Sequence, residues 1–229
     1  MAMRMTFIGH ACVLVEGTAG TRVLLDPYQP GAFGGRFGLP GFQGEVDIVA
    51  STHEHLDHFH LDPAFGDPVV VRGDQVARGV AFTGVRLPHD GEEGARRGFV
   101  TALRFAIDGV TLVHLGDAGR PPSPAETRAL RPLDLLMVPV GGTFTVGPRE
   151  ALEAVRRLRP RVVVPMHYRL PEVDLPLLPL GDFLREVEAE GWTVVRGDRG
   201  PWCWPGGLPA SEDPVVLVLP PVQSRGDPS

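Results

Sequence analysis

Residues 46–61, VDIVASTHEHLDHFHL, join a short apolar run to a dense group of histidines. Four of the eight histidines of the chain, together with an aspartate, fall between His53 and His60. The run VDIVAS has the apolar, β-branched composition of a buried strand. Two interpretations are open for the residues that follow it: a polar turn that happens to be rich in histidine, or a set of metal ligands.

The bulk composition is that of a globular protein. The 229 residues suffice for one large domain or two small ones, and a hydrophobic content of 43% allows a proper core. The formal net charge of −6 argues against a general nucleic-acid or anionic-membrane binder. The N-terminal segment lacks the apolar run of a signal peptide, and no run approaches the ~18 residues that span a bilayer. We therefore expect a soluble cytoplasmic protein without a membrane or nucleic-acid partner.

Residue usage adds two further indications. All 22 basic residues are arginine, asparagine is absent and 24 residues are proline. A codon bias from GC-rich DNA explains most of this, and a thermophilic source is compatible with it. Cys12 and Cys203 lie far apart, so the sequence predicts neither a disulfide framework nor a Cys-x-x-Cys zinc site.

Strand-like runs dominate the first half of the chain, and helices alternate with strands in the second. Asp108-Gly109 between two apolar runs is a strong hairpin signal, Ser123-Pro124 predicts a helix start, and Gly191 predicts a helix end. We predict helices from 123 to before 132, at 148–158 and at 180–190. The predicted strands are 6–9, 11–16, 22–26, 46–51, 69–72, 80–87, 98–107, 110–115, 134–140, 161–165 and 192–196.

No linker separates the two halves, so we predict one domain over residues 1–204. Residues 205–229 form a Pro-rich C-terminal extension with one strand-like piece, Pro214–Leu219, and a disordered end. The loop Tyr28–Gly44 carries six glycines and three phenylalanines. It is interpreted either as a mobile lid over an apolar substrate or as an insert whose phenylalanines pack on the core.

The histidine-rich stretch has residue types and spacings that suit a metal. His53 and His55 are two residues apart after a predicted strand, so extended geometry points both side chains to the same side. Asp57 and His58 are predicted to open a helix, to which His60 would also belong. Imidazole and carboxylate suit borderline-soft divalent metals. A lone histidine usually belongs to the core, but four candidate ligands within six positions favour metal binding.

The pattern H53-E-H55-L-D57-H58, directly after a buried strand, resembles the signature of the metallo-β-lactamase superfamily. The resemblance implies an α+β fold: a four-layer αβ/βα sandwich of two mixed β-sheets flanked by helices, with two metals at one edge of the sheets. It also implies three ligands further along the chain, namely a histidine, a bridging carboxylate and a last histidine.

Three segments match these further ligands. His167 ends the run VVVPMH, and Asp117 lies in LVHLGDAG, which resembles the Gly-Asp motif of the family. His89 in RLPHDGEEG is the better candidate for the middle histidine, because its competitor His114 lies within an apolar strand and suits a buried role behind the ligands. The resemblance then implies that Asp117 bridges two metals, one held by His53, His55 and His89 and the other by Asp57, His58 and His167.

The segments GHACVLVEG, VLLDP, VPVGGTFT and PMHY resemble a bacterial branch of metal-dependent hydrolases that includes ascorbate-6-phosphate lactonase. This resemblance brings His10 and Asp26 near the site as residues behind the ligands. The alternatives are a capping or packing role for His10 and a strand-to-turn role for Asp26. Tyr168, next to His167, is either a donor to an oxyanion or a packed aromatic side chain.

The resemblance implies a dinuclear hydrolase with two divalent ions as cofactors, zinc first and manganese or iron as alternatives. A metal-bridged hydroxide would attack a small ester, lactone or phosphodiester, with Asp57 and Asp117 as the catalytic carboxylates. The alternative functions are a mononuclear-iron, dioxygenase-like oxidoreductase, a metal-dependent nuclease and a binding module without turnover. The expected partner is a small-molecule substrate, and a homo-oligomer is compatible with the sequence.

Overall fold

The computed structural model describes residues 2–222, which form two mixed β-sheets. The first sheet has the order β13-β1-β2-β3-β4-β5. Its antiparallel part ends at β3, and β3, β4 and β5 run parallel to one another. The strands are β1 (Arg4–Gly9), β2 (Cys12–Glu16), β3 (Arg22–Leu25), β4 (Ile48–Ala50), β5 (Val69–Val71) and β13 (Trp202–Cys203).

The second sheet has the order β12-β14-β11-β10-β9-β8-β7-β6. Strands β6 to β9 form an antiparallel meander, and β9, β10, β11, β14 and β12 are parallel. Both β10 and β11 are buried along their whole length, as their continuous apolar sequences predict for parallel strands. The strands are β6 (Gln75–Ala77), β7 (Val80–Pro88), β8 (Phe99–Ile107), β9 (Val110–His114), β10 (Leu135–Pro139), β11 (Val162–Met166), β12 (Val194–Arg196) and β14 (Val215–Val218).

The helices α1 (Pro124–Leu130), α2 (Pro148–Leu158) and α3 (Leu180–Ala189) flank the second sheet. Helix α1 contacts β7, whereas α2 contacts both β10 and α3. A capping box begins α1: Ser123 N–H donates to the Glu126 carboxylate at 2.6 Å, and the Ser123 hydroxyl accepts from Glu126 N–H. Within residues 2–222, no helix is both long enough and apolar enough to cross a membrane.

The predicted fold class is confirmed, and the predicted elements lie within a few residues of the observed ones. Strands β6 and β13 were not predicted, because two or three residues are too few to show an alternating pattern. The strand predicted at Pro214–Leu219 is observed as β14. In the structure β14 is buried between β11 and β12 in the second sheet, so this part of the predicted C-terminal extension packs with the rest of the sheet. The predicted disordered end falls on residues 223–229, outside the described part of the chain.

Candidate metal centre

The predicted ligands come together where parallel strands of both sheets end. Asp26 follows β3, the histidine-rich stretch follows β4, Asp117 follows β9 and His167 follows β11. Because parallel strands place their carboxyl ends at the same edge of a sheet, residues far apart in the sequence meet there. The turn between β1 and β2 adds His10, and the loop after β7 adds His89, because both lie beside these strand ends.

Three groups of ligand atoms form at this edge among the described residues, and in each group all atoms lie within 4.8 Å of one another. Two of them share no residue, and the third, Asp26 with His53 and His58, overlaps both. In the first group His55 is exposed toward a cleft, and its Nδ1 lies 3.0 Å from His53 Nε2 and 3.3 Å from His89 Nε2. The second group is buried, and in it Asp57 Oδ2 lies 3.3 Å from His10 Nε2. The groups are His53, His55 and His89 in the first and His10, Asp57, His58 and His167 in the second.

Asp117 lies between the two groups and turns one carboxylate oxygen toward each. Its Oδ1 is 3.0 Å from His58 Nε2 and 3.4 Å from His167 Nε2. Its Oδ2 is 3.5 Å from His89 Nε2 and 3.9 Å from His53 Nε2. This is the arrangement expected of a carboxylate that bridges two cations.

Several of these ligand atoms are buried without a hydrogen-bond partner. Such atoms show whether the residues are suited to a metal, because a bound cation would satisfy them. Among the described residues, His58 Nε2, His167 Nε2 and Asp117 Oδ1 are buried and unpartnered. Orphaned polar atoms are rare inside proteins and require an explanation. A divalent cation coordinated by imidazole nitrogen and carboxylate oxygen supplies one, so the donor set fits the metals that the sequence predicts.

Asp26 fixes the histidine-rich stretch, residues 52–58, through hydrogen bonds on the side away from the cleft. Its carboxylate accepts hydrogen bonds at 2.7 Å from Thr52 N–H, from the Thr52 hydroxyl and from His58 Nδ1. A proton on Nδ1 leaves His58 Nε2 as a lone-pair donor that faces Asp117. Outer carboxylates commonly fix the tautomer and the orientation of a metal-binding histidine in this way.

His114 is fully buried behind the site, and backbone groups occupy both of its ring nitrogens. Nε2 donates to the Ala11 carbonyl at 2.9 Å, and Nδ1 accepts from Gly116 N–H at 3.1 Å. Neither nitrogen is directed at the ligand groups, whereas His89 belongs to one of them. The geometry therefore favours His89 as the middle histidine.

The electrostatics of the site favour the neutral form of His53 and His10 but the protonated form of His58. Burial, followed by the proximity of His58, lowers the pKa of His53 to about 3; burial and the proximity of His167 lower the pKa of His10 to about 4. Burial alone would lower the pKa of His58, but the charges of Asp117 and Asp57 outweigh it and raise that pKa well above its ordinary value. The same field that stabilises a proton at His58 stabilises a metal cation.

Three of the nine non-glycine residues with positive φ in the described part of the chain lie at this edge. His10, Asp26 and His167 have φ of 57°, 42° and 53°, in the left-handed region that non-glycine residues seldom adopt. Gly141 permits the close approach, because a Cβ at this position would overlap the carbonyl oxygen of His167. Such strain persists only where surrounding structure enforces it, and it is found most often at functional sites.

Two details of the sequence prediction change at this site. The helix predicted to open at Asp57 and to include His60 is wrong, because residues 56–58 form a single turn. The Ser51 hydroxyl lies 2.7 Å from the His53 carbonyl and 3.1 Å from the His58 carbonyl, so it fastens both ends of this turn to the end of β4. Tyr168 is buried with its ring 6.2 Å from Phe7, which matches a packed aromatic side chain.

A cleft of about 430 Å³ opens over the ligand groups. Its floor is polar, its walls are largely apolar, and three further charged residues line it. The loop Tyr28–Gly44 contributes Phe33, which is 40% exposed, whereas Phe37 is buried against His10 and Tyr28. The lining comprises His55, Asp57, His89 and Asp117 below, Phe33, Leu56, Phe144 and Leu175 at the sides, and Arg36, Glu54 and Arg97.

Two mixed sheets that carry a pair of histidine–carboxylate groups at their common edge define a metal-binding αβ/βα sandwich protein. Residues 4–167 match the family model described as the beta-lactamase superfamily domain. The chain therefore belongs to the β-lactamase superfamily.

Similar proteins of known sequence or structure indicate which kind of superfamily member this chain resembles. Over 185 residues the chain is 36% identical to a UPF0173 protein of Pyrococcus furiosus, covering 72% of this chain and 83% of that protein. A UPF0173 metal-dependent hydrolase of Thermococcus kodakarensis is 32% identical over 193 residues, covering 72% and 84%. A solved Thermotoga maritima structure, assigned to the metallo-β-lactamase superfamily as a Zn-dependent hydrolase, has 30% identity and a TM-score of 0.74, covering 95% and 98%. The chain is thus a metal-dependent hydrolase; the narrower resemblance to the lactonase branch stays a prediction.

Proposed function

We propose that this hydrolase uses two divalent metal ions, preferably zinc, to cleave a small ester, lactone or phosphodiester. The position of Asp117 carries the proposal, because its two oxygens face two separate groups of histidines. One ion would be held by His53, His55 and His89. The other would be held by Asp57, His58 and His167, with Asp117 shared between them.

When bound, a pair of such ions supplies Lewis acidity and lowers the pKa of a water toward ~7. Asp57 lines the cleft, where its carboxylate would hold one of the ions and orient a water beside it. His10 positions Asp57 through the 3.3 Å contact between Nε2 and Oδ2, and Phe37 packs edge-on against the His10 ring. The buried floor and the apolar walls exclude bulk water from the reacting bond.

The experiment combines metal content with turnover. Protein purified without added metal is analysed by mass spectrometry, loaded with zinc, and assayed on 4-nitrophenyl acetate, γ-butyrolactone and bis(4-nitrophenyl) phosphate. We expect close to two metal ions per chain and hydrolysis of at least one of these substrates. Asp117→Asn should lower activity by more than the roughly 100-fold that changes behind the ligands reach.

Asp47→Asn is the matched control, because that carboxylate accepts a backbone hydrogen bond from Arg22 outside the metal centre. Full activity in Asp117→Asn would contradict the proposal. So would the consumption of oxygen by iron-loaded protein that hydrolyses none of the substrates, since this would indicate an oxidoreductase.

A further inference from the structure

We infer that Arg97 binds an acidic group of the substrate, so that the preferred substrates are esters or lactones carrying a carboxylate or a phosphate on an apolar body. The inference rests on the proposed function, because it assigns a substrate class to the same cleft. It starts from the charges that line the cleft above the metal centre.

Arg97 is the lining charge that other side chains leave uncompensated. Glu54 pairs with Arg72, and Arg36 lies 3.3 Å from Asp174. Within residues 2–222, no carboxylate lies within ion-pair distance of the Arg97 guanidinium. The remaining lining carboxylates, Asp57 and Asp117, face the histidines below. With cations bound there, the cleft has an excess of positive charge that attracts anions.

The Arg97 side chain is also held in place. Its guanidinium carbon lies 4.7 Å from the centre of the Phe144 ring, within the range of a cation–π contact. Both residues line the cleft. The contact orients the guanidinium while leaving its N–H groups free to donate to a ligand, and a fixed guanidinium loses less freedom on binding than a mobile one.

The backbone of Arg97 is fixed by a second device. The Asp90 carboxylate accepts four backbone N–H groups of the loop that carries Arg97, at 2.8 to 3.0 Å, donated by Glu92, Gly94, Arg96 and Arg97. The Asp90 backbone in turn packs on Gly119, where any Cβ would overlap it. Because Gly119 is two residues from Asp117, the loop with Arg97 packs against the same backbone segment that carries Asp117.

The other walls of the cleft indicate the size and the polarity of the rest of the substrate. Phe33, Leu56, Phe144 and Leu175 present apolar surface, and about 430 Å³ admits a small molecule rather than a polymer. Phe33 and Leu56 are 40% and 44% exposed, so a ligand can cover them. An acidic group at Arg97 would then leave the bond to be cleaved near Asp57 and Asp117.

The test uses zinc-loaded protein and two 4-nitrophenyl esters matched in carbon number, the neutral pentanoate and the acidic glutarate monoester. We expect the wild type to prefer the glutarate ester. Arg97→Gln should raise KM for that ester about 10- to 100-fold, the loss expected for a charged hydrogen bond, and change KM for the pentanoate far less. Arg97→Lys should restore part of the loss. Arg96→Gln is the control, because that neighbouring side chain pairs with Glu92 at 2.8 Å.

An equal effect of Arg97→Gln on both esters, or no effect on either, would overturn the inference while leaving the proposed hydrolysis intact. If neither ester is hydrolysed, the ester activity fails, and calorimetric binding of glutarate against pentanoate decides the inference separately. A glutarate preference that disappears in Arg97→Gln supports it, whereas equal affinities reject it. The ester of 4-phosphonobutyric acid distinguishes a phosphate-like group from a carboxylate.

Discussion

Asp26 Oδ2 lies 2.7 Å from His58 Nδ1, although the two residues are 32 positions apart and both side chains are fully buried. The contact ties the end of β3 to the ligand stretch after β4. It also decides which nitrogen of His58 is available at the metal centre.

Asp26→Asn should lower zinc affinity about 10- to 100-fold, because the amide does not hold the His58 proton on Nδ1 as the carboxylate does. Competition with a chromophoric chelator measures the affinity. Asp47→Asn serves again as the control and should bind zinc as the wild type does. Unchanged affinity in Asp26→Asn would show that Asp26 has only a packing role.

His89→Ala should lower the metal content and His114→Ala the stability of the protein. His89→Ala should lose close to one metal ion per chain and keep most of its stability, because His89 belongs to the cleft-side group. His114→Ala should keep its metal but lose about 1–3 kcal/mol of unfolding free energy, since the Ala11 carbonyl and Gly116 N–H lose their partner. Metal analysis and urea denaturation measure the two effects. Loss of metal in His114→Ala alone would reverse the assignment.

Gly141→Ala should destabilise the protein by about 1–3 kcal/mol and weaken metal binding, because the new Cβ would push on the carbonyl of His167. Thermal unfolding with and without zinc separates the two effects. Gly73→Ala is the control, since nothing lies within 4 Å of a Cβ there. Equal melting temperatures for the two variants would contradict the close contact.

The start of α1 should contribute stability that depends on pH. Burial alone would raise the pKa of Glu126, but hydrogen bonds from Arg120 and Ser123 outweigh it and lower that pKa. The contribution is therefore present above the pKa of unfolded glutamate, ~4.3, and is lost as the pH falls through the lower folded value.

Glu126→Gln should accordingly reduce the unfolding free energy at pH 7 by about 1 kcal/mol or less, given the solvent screening of this pair. The difference should shrink between pH 5 and pH 3, roughly where the carboxylate protonates. Urea denaturation across this range provides the measurement. Glu188→Gln, an exposed position on α3, is the control, and an identical pH profile for both variants would refute the prediction.

Local pattern was enough to single out the histidine-rich stretch, whereas the ligands further along the chain were predicted from the resemblance to the superfamily. Each predicted ligand follows a strand whose apolar run is visible in the sequence. His53, His55 and His58 share one stretch, and Asp117 and His167 each end a run of buried residues. His89 was preferred over His114 as the middle histidine because it lies at the end of a predicted strand. The helix predicted at Asp57 was wrong, because the stretch is held as a single turn by contacts of the Ser51 hydroxyl that reach as far as seven residues along the chain.

Relationships between distant segments could not be predicted in this way. His10 contacts Asp57, which is 47 positions away in the sequence. Arg97 contacts Phe144, and both α1 and β10 lie between them in the sequence. Both pairs depend on how the strands are ordered, and strand order leaves no local signal. The same reason explains why the buried place of β14 was missed.

The position of β14 also bears on how the molecule is assembled during synthesis. Strand β12 pairs only with β14 among the described strands, and β14 leaves the ribosome about twenty residues later. Until then β12 has no neighbour, and β11 exposes one unpaired edge to other chains. All predicted metal ligands are therefore synthesised before β14, the strand that completes the second sheet.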